Sequence, residues 1–160
     1  MTVMTFDDNL QVPPPLPEPL AQLITKYNNI TDGMLNTQTL ALLNVHQMTL
    51  FAYDIVRREV MQGGFIQLIY NGYGDFIFRN PFAKMMRCWG IDALTSLINK
   101  AKKLEQKYRH DILQAETDEE FMALYEQMPQ FDDCDDTFVE KENDFTMAIV
   151  EYVNNNSSQF

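Results

Sequence analysis

Residues 59–71 read Glu59-Val-Met-Gln-Gly63-Gly64-Phe65-Ile-Gln67-Leu-Ile-Tyr-Asn71, and the way this stretch breaks decides the fold. Upstream of it, Leu42, Val45, Met48, Ala52, Ile55, Val56 and Val60 recur at spacings of three and four, which predicts a helix over 37–62 with one apolar face. Gly63-Gly64 stops that helix, because glycine takes the positive φ that a helix end favours. Phe65 then anchors a new short helix in the core. Gln67 and Asn71 stand one turn apart, where they can hydrogen-bond backbone groups freed at the break, and Glu59, one turn before it, can join them. The same trio admits an enzymatic reading, with Glu59 as general base and the two amides as orienters. No nucleophile, metal set or phosphate loop accompanies them, so a structural network is the preferred reading and no catalytic residue is assigned. Gly72-Tyr73-Gly74 lacks both the third glycine and the preceding strand of a dinucleotide fingerprint.

Further out, the chain keeps to helices. Residues 1–17 form an extended, proline-rich lead-in, since proline in a helix interior removes a donor and clashes with the preceding turn. A stiff arm packed on the domain is preferred there to a polyproline ligand. A helix over 18–27 comes next, then a turn over 28–33. Asn80-Pro81 reads as an N-cap and first helical residue, opening a helix to Trp89 that Gly90 closes. Asp92 caps a helix carrying Leu94, Leu97, Ile98, Ala101, Leu104, Tyr108 and Ile112. Its outer face is basic, with Lys100, Lys102, Lys103, Lys107 and Arg109. Thr117 and Glu120 make a capping box for a helix that Pro129 ends. The last helix begins between Asp132 and Thr137 and buries Phe138, Phe145, Ile149, Tyr152 and Val153, leaving 154–160 as a flexible tail. His46 has no ligand-type neighbour at helical spacing and reads as structural. The sum is one compact all-α domain over 1–160, of about six or seven helices.

At 160 residues with 46% hydrophobic side chains, the chain can bury a core without metal or disulfide help. The two cysteines, Cys88 and Cys134, stand 46 residues apart, which suits a reducing compartment. No secretory signal and no apolar run of membrane-spanning length is readable, so a soluble cytoplasmic protein with no membrane partner is expected. Neither cofactor nor metal is expected. Asp132-Asp133-Cys134-Asp135-Asp136 resembles a calcium loop only superficially, because Phe138 falls where the tight turn needs glycine. Cys134 without histidine is a poor zinc set.

The break and the residues beyond it carry a family resemblance. Glu59-Val60, Gly63-Gly64-Phe65-Ile66-Gln67, Tyr70-Asn71 and Gly74-Asp75 resemble the signature of a small all-helical bacterial family of DNA-mimic proteins. The likeness continues through Gly90-Ile91-Asp92-Ala93, Ala101, Phe121, Leu124 and Tyr125 to Tyr152 and Asn154, covering roughly residues 37–155. The resemblance implies an all-α fold, a homodimer, and a basic DNA-binding protein as partner in place of any direct contact with nucleic acid.

Charge points the same way. The formal net charge is −11, yet residues 111–151 hold fourteen of the 23 acids against the single base Lys141, while residues 1–110 hold nine acids and eleven bases. Asp132, Asp136, Glu140 and Asp144 succeed one another at i+4. On a helix they form a line about 18 Å long, with Cβ atoms roughly 5–6 Å apart. Each like-charged pair costs about 0.2–0.5 kcal/mol. This is compatible with a merely solvated, solubilising face and with a surface for a basic partner, above all a helix-turn-helix transcription regulator whose Lys and Arg residues meet phosphates. Asp132, Asp133, Asp135, Asp136, Glu140, Glu142 and Asp144 are the first candidates for partner contact, and Glu116, Asp118, Glu119 and Glu120 the second. The basic helix face reads as a solvated counterweight to this acidity, not as a nucleic-acid patch.

Overall fold

Two asparagine caps divide the segment expected to be one helix over 37–62. In the computed structural model, which describes residues 13–160, helix α1 spans Leu20–Thr31, the short α2 spans Thr37–Leu40, and α3 spans Val45–Tyr70. Asn36 and Thr39 form a reciprocal capping box for α2, and Asn44 and Gln47 do the same for α3. Each asparagine offers the backbone a local partner that competes with helix continuation, so the chain restarts at Asn44. Helix α1 runs four residues past its expected end at Tyr27, because Leu20, Ile24, Tyr27 and Thr31 keep the buried spacing, and it closes at Asp32 with φ 53°. Of the proline-rich lead-in, residues 1–12 lie outside the described residues. Residues 13–17 carry no helix, and the Arg57 guanidinium donates to the Pro14 carbonyl.

Helix α3 is broken, not ended, at the double glycine. Gly63 sits at φ −149°, ψ 15° and Gly64 at φ 74°, ψ −177°, after which helical geometry resumes. Gly64 is required twice over: its φ is positive, and a Cβ there would lie 2.4 Å from Oδ2 of Asp135.

The remaining α-helices are α4 Gly74–Phe78, α5 Phe82–Cys88, α6 Asp92–Leu113, α7 Asp118–Gln127 and α8 Asp132–Asn155, with a 3-10 turn at Pro129–Phe131 before α8. The fold is thus all-α, with eight α-helices among the described residues, six of them seven residues or longer. Three expected caps differ in detail. Asn80 does not cap α5; its side-chain amide donates to the Phe76 carbonyl and closes α4 instead. Asp92 is the first residue of α6, not its cap. Thr117 does accept from the Glu120 N–H at 3.1 Å, but Glu120 reaches back to the N–H of Glu116 at 2.8 Å, one residue beyond the usual target.

The expected flexible tail is instead packed. Helix α8 runs to Asn155, a 3-10 turn covers Ser157–Gln159, and Phe160 is 6% exposed against His46, Trp89 and Tyr152. The Gln159 carbonyl accepts from Asn44 Nδ2, and the Phe160 carbonyl accepts from Lys26 Nζ. An aromatic side chain and these contacts outweigh the polarity that suggested fraying. His46 accordingly lies in an aromatic cluster, stacked parallel to Trp89.

Helix α3 is the central element, packed by α1, α4, α5, α6 and α8. Residues 49–57 are buried without a gap, so this segment has no solvent face. Tyr53 and Phe65 of this helix and Phe131 and Phe138 from elsewhere in the chain are fully buried, each contributing about 1.5–3 kcal/mol of transfer energy. A helix buried on all sides also buries its polar residues, here Asp54, Arg57 and Glu59, and each must find a partner inside. No helix among the described residues is long and apolar enough to cross a membrane.

Candidate interaction surface

The polar residues of α3 divide the C-terminal acids into two groups. Arg57 is matched by Glu142 of α8, with Nε donating to Oε1 at 2.7 Å. The same carboxylate accepts from Thr146 Oγ1 at 3.0 Å, and Thr146 pairs in turn with the Tyr53 hydroxyl at 2.7 Å. Glu142 is therefore buried, and its place among the surface candidates is corrected: it stands at i+4 from Phe138 and i−3 from Phe145, on the core face of α8.

Asp135 also turns inward. Its Oδ1 accepts the Phe65 N–H at 2.8 Å, the first amide after the break, and its carboxylate rests against Gly64. Burial pushes its pKa up to about 7, with Asp132 and Asp136 pushing the same way and the Phe65 N–H opposing. From α7, the Tyr125 hydroxyl donates to the Gly63 carbonyl at 2.7 Å, and burial raises its pKa. The amides Gln67 and Asn71 do not serve the freed backbone, contrary to expectation. Gln67 Nε2 and Asn71 Nδ2 both donate to Glu59 Oε2 at 2.8 Å, and Gln67 also reaches Gln62 Oε1 at 3.1 Å. The break is thus held from inside by a carboxylate–diamide knot, and from outside by one side chain from each of the two acidic helices. Neither Tyr125 nor Asp135 was legible as a partner of the break, since both contacts join residues more than sixty positions apart.

The other nine candidates are exposed: Glu116, Asp118, Glu119, Glu120, Asp132, Asp133, Asp136, Glu140 and Asp144. The α7 group gathers around one helix start, where Asp118, Glu119 and Glu120 complement the positive end of the helix dipole. On α8, Asp132, Asp136, Glu140 and Asp144 succeed one another turn by turn along a continuous helix. Each step of four residues advances about 40°, so the line slants across the solvent face. No ion pair joins these four to a cation among the described residues. Asp133 is different: the Lys100 ammonium of α6 pairs with it, and this contact raises the lysine pKa. The basic ridge of α6 therefore meets the edge of the acidic face and leaves its centre uncompensated. No group of three or more His, Cys, Asp or Glu is placed to hold a metal among the described residues.

Two residues of this face were not singled out from the sequence. Val139 and Met147 are 51% and 50% exposed between the acids of α8. Their signal was present, since both fall outside the buried set Phe138, Phe145, Ile149 and Val153.

Fold and surface define a small all-α protein whose last two helices each carry exposed acids and each send one side chain to a double-glycine break in a central buried helix. Residues 41–156 match the family model for DMP19-like proteins, and the chain belongs to that family. Over 163 aligned positions it is 31% identical to the DNA mimic protein DMP19 of Neisseria meningitidis serogroup B, covering 100% of this chain and 96% of that one.

Proposed function

We propose that this protein is itself a DNA mimic, binding without catalysis: its exposed carboxylates take the place of phosphates on the basic surface of a helix-turn-helix transcription regulator and keep that regulator off its operator. The observation that carries the reading is the line Asp132–Asp136–Glu140–Asp144, solvent-facing along one helix and without a cation partner among the described residues. Asp133 and the α7 group of Glu116, Asp118, Glu119 and Glu120 extend the contact. Full-length similarity to a protein named as a DNA mimic supports the same role here. The Glu59 carboxylate is already engaged by two amides in a buried knot, which supports a structural use over a general base. The proposal includes a homodimer acting in the cytoplasm, with no nucleic acid or membrane bound directly.

A field of this sign steers a basic partner to the face, so association is fast and falls steeply with salt. The test is affinity capture from a bacterial lysate with wild-type bait and with a bait carrying Asp132→Asn, Asp136→Asn, Glu140→Gln and Asp144→Asn. A DNA-binding protein retained by the first and lost by the second supports the reading. Equal retention at physiological salt sinks it.

A further inference from the structure

We propose that Val139 and Met147 form an apolar anchor within the acidic face of α8, and that the partner seated there presents aliphatic side chains between its basic ones. The inference rests on the DNA-mimic reading and specifies the partner's chemistry at the same surface. The two residues lie two turns apart, with exposed Asn143 between them and half-buried Val150 continuing the line. At about 100° per residue, Val139, Asn143 and Met147 run beside Asp136, Glu140 and Asp144. The line, apolar at Val139 and Met147 and polar at Asn143, is thus bordered by carboxylates on its solvent side, so a partner covering it meets an apolar contact beside a charged rim.

Exposed ion pairs contribute little net affinity, since each must give up hydration and is screened by salt. Selective, durable binding comes from side chains buried at the centre of the contact. A phosphate ridge has no aliphatic group to offer, so a partner holding an apolar side chain near its basic residues gains more from this protein than from DNA. The charges also select the occupant. A second copy laid antiparallel along α8 would set Asp136, Glu140 and Asp144 against their own equivalents, which costs free energy, whereas Lys and Arg gain from the same contact.

The test uses two synthetic helical peptides with the same Lys and Arg face. One carries two leucines among the basic residues, and the other carries glutamines there. Affinity is read by fluorescence anisotropy between low and high NaCl concentration, against wild type, a Val139→Gln/Met147→Gln variant that keeps helix propensity, and the acid-neutralised variant. The leucine peptide binds wild type roughly ten-fold more tightly or better, with the same slope of log Kd against log salt. The double-glutamine variant loses that preference and keeps the slope, and circular dichroism shows it folded. Equal affinity of the two peptides for wild type, with steep salt dependence, overturns this inference and leaves the mimic reading standing. Binding unaffected by neutralising the acids overturns both. A double-glutamine variant that turns a dimer into a monomer in sedimentation equilibrium identifies the face as a self-contact and overturns the inference.

Discussion

Glu142 and Glu140 lie two residues apart on one helix, yet their removal has very different consequences. Glu142→Ala deletes the partner of a guanidinium whose side chain is 4% exposed, along with the acceptor of the Thr146 hydroxyl. Arg57 then keeps the Pro14 carbonyl and the longer-range attraction of Asp54 but no direct ion pair, and breaking a buried pair from one side in this way costs about 3–5 kcal/mol. Against a total stability of roughly 5–15 kcal/mol this is a large fraction. For a chain of this length it lowers Tm by roughly 6–20 °C, at about 2–4 °C per kcal/mol. Glu140→Ala removes a solvated carboxylate and relieves repulsion with Asp136 and Asp144, so its effect stays within about 0.5 kcal/mol. Replacing both members of the buried pair, as in Arg57→Met with Glu142→Leu, recovers most of the loss, because the cost lies in the orphaned charge. Urea and thermal unfolding monitored by circular dichroism measure all three. If Glu142→Ala unfolds within about 1 kcal/mol of wild type, Glu142 is not the partner of a desolvated Arg57, and its removal from the acidic surface is wrong.

Other positions give separate checks. Gly64→Ala forces a side chain into a positive φ and onto the Asp135 carboxylate, and destabilises by roughly 1–3 kcal/mol or more in the same unfolding assays. Glu59→Ala takes the acceptor from the half-buried Asn71 amide and leaves the buried Gln67 amide only Gln62 Oε1, costing about 1–3 kcal/mol, while binding of a basic partner per folded molecule is unchanged. Asp135 sets a pH dependence. Its folded pKa of about 7 lies above the ordinary aspartate value of 3.8, so its contribution to stability is full below that ordinary value and is lost as pH rises through about 7. Asp135→Asn removes this decline, and the difference in unfolding free energy between variant and wild type grows in the variant's favour from pH 4 to pH 8. A difference that is flat across that range refutes the assignment.

The fold was legible because its elements carry local signals. Apolar spacing located α6, α7 and α8, Thr117 marked the start of α7, and Gly63-Gly64 marked the break in α3. Asn36 and Asn44 carried equally local signals with Thr39 and Gln47, but the continuous apolar pattern across 37–62 overrode them. The surface was legible in its charge and not in its direction. Glu142 and Asp135 both stand at helical spacing from Phe138, so their inward orientation could have been suspected, but their partners, Arg57 and the Phe65 N–H, lie at least seventy residues away and only the fold brings them near. A run of acids also draws the eye to charge, which is why Val139 and Met147 were passed over although both fall outside the buried spacing of α8.

If the mimic reading holds, this acidic face and duplex DNA compete for one surface on the partner. The direct measurement takes the DNA-binding protein captured on wild-type bait and titrates the complex with duplex DNA, tracking both partners by analytical ultracentrifugation. Mutually exclusive binding is predicted: DNA displaces this protein, no ternary complex forms, and the acid-neutralised variant fails to displace DNA in the reverse titration. A stable ternary complex, in which the captured protein holds DNA and this protein together, would contradict that reading.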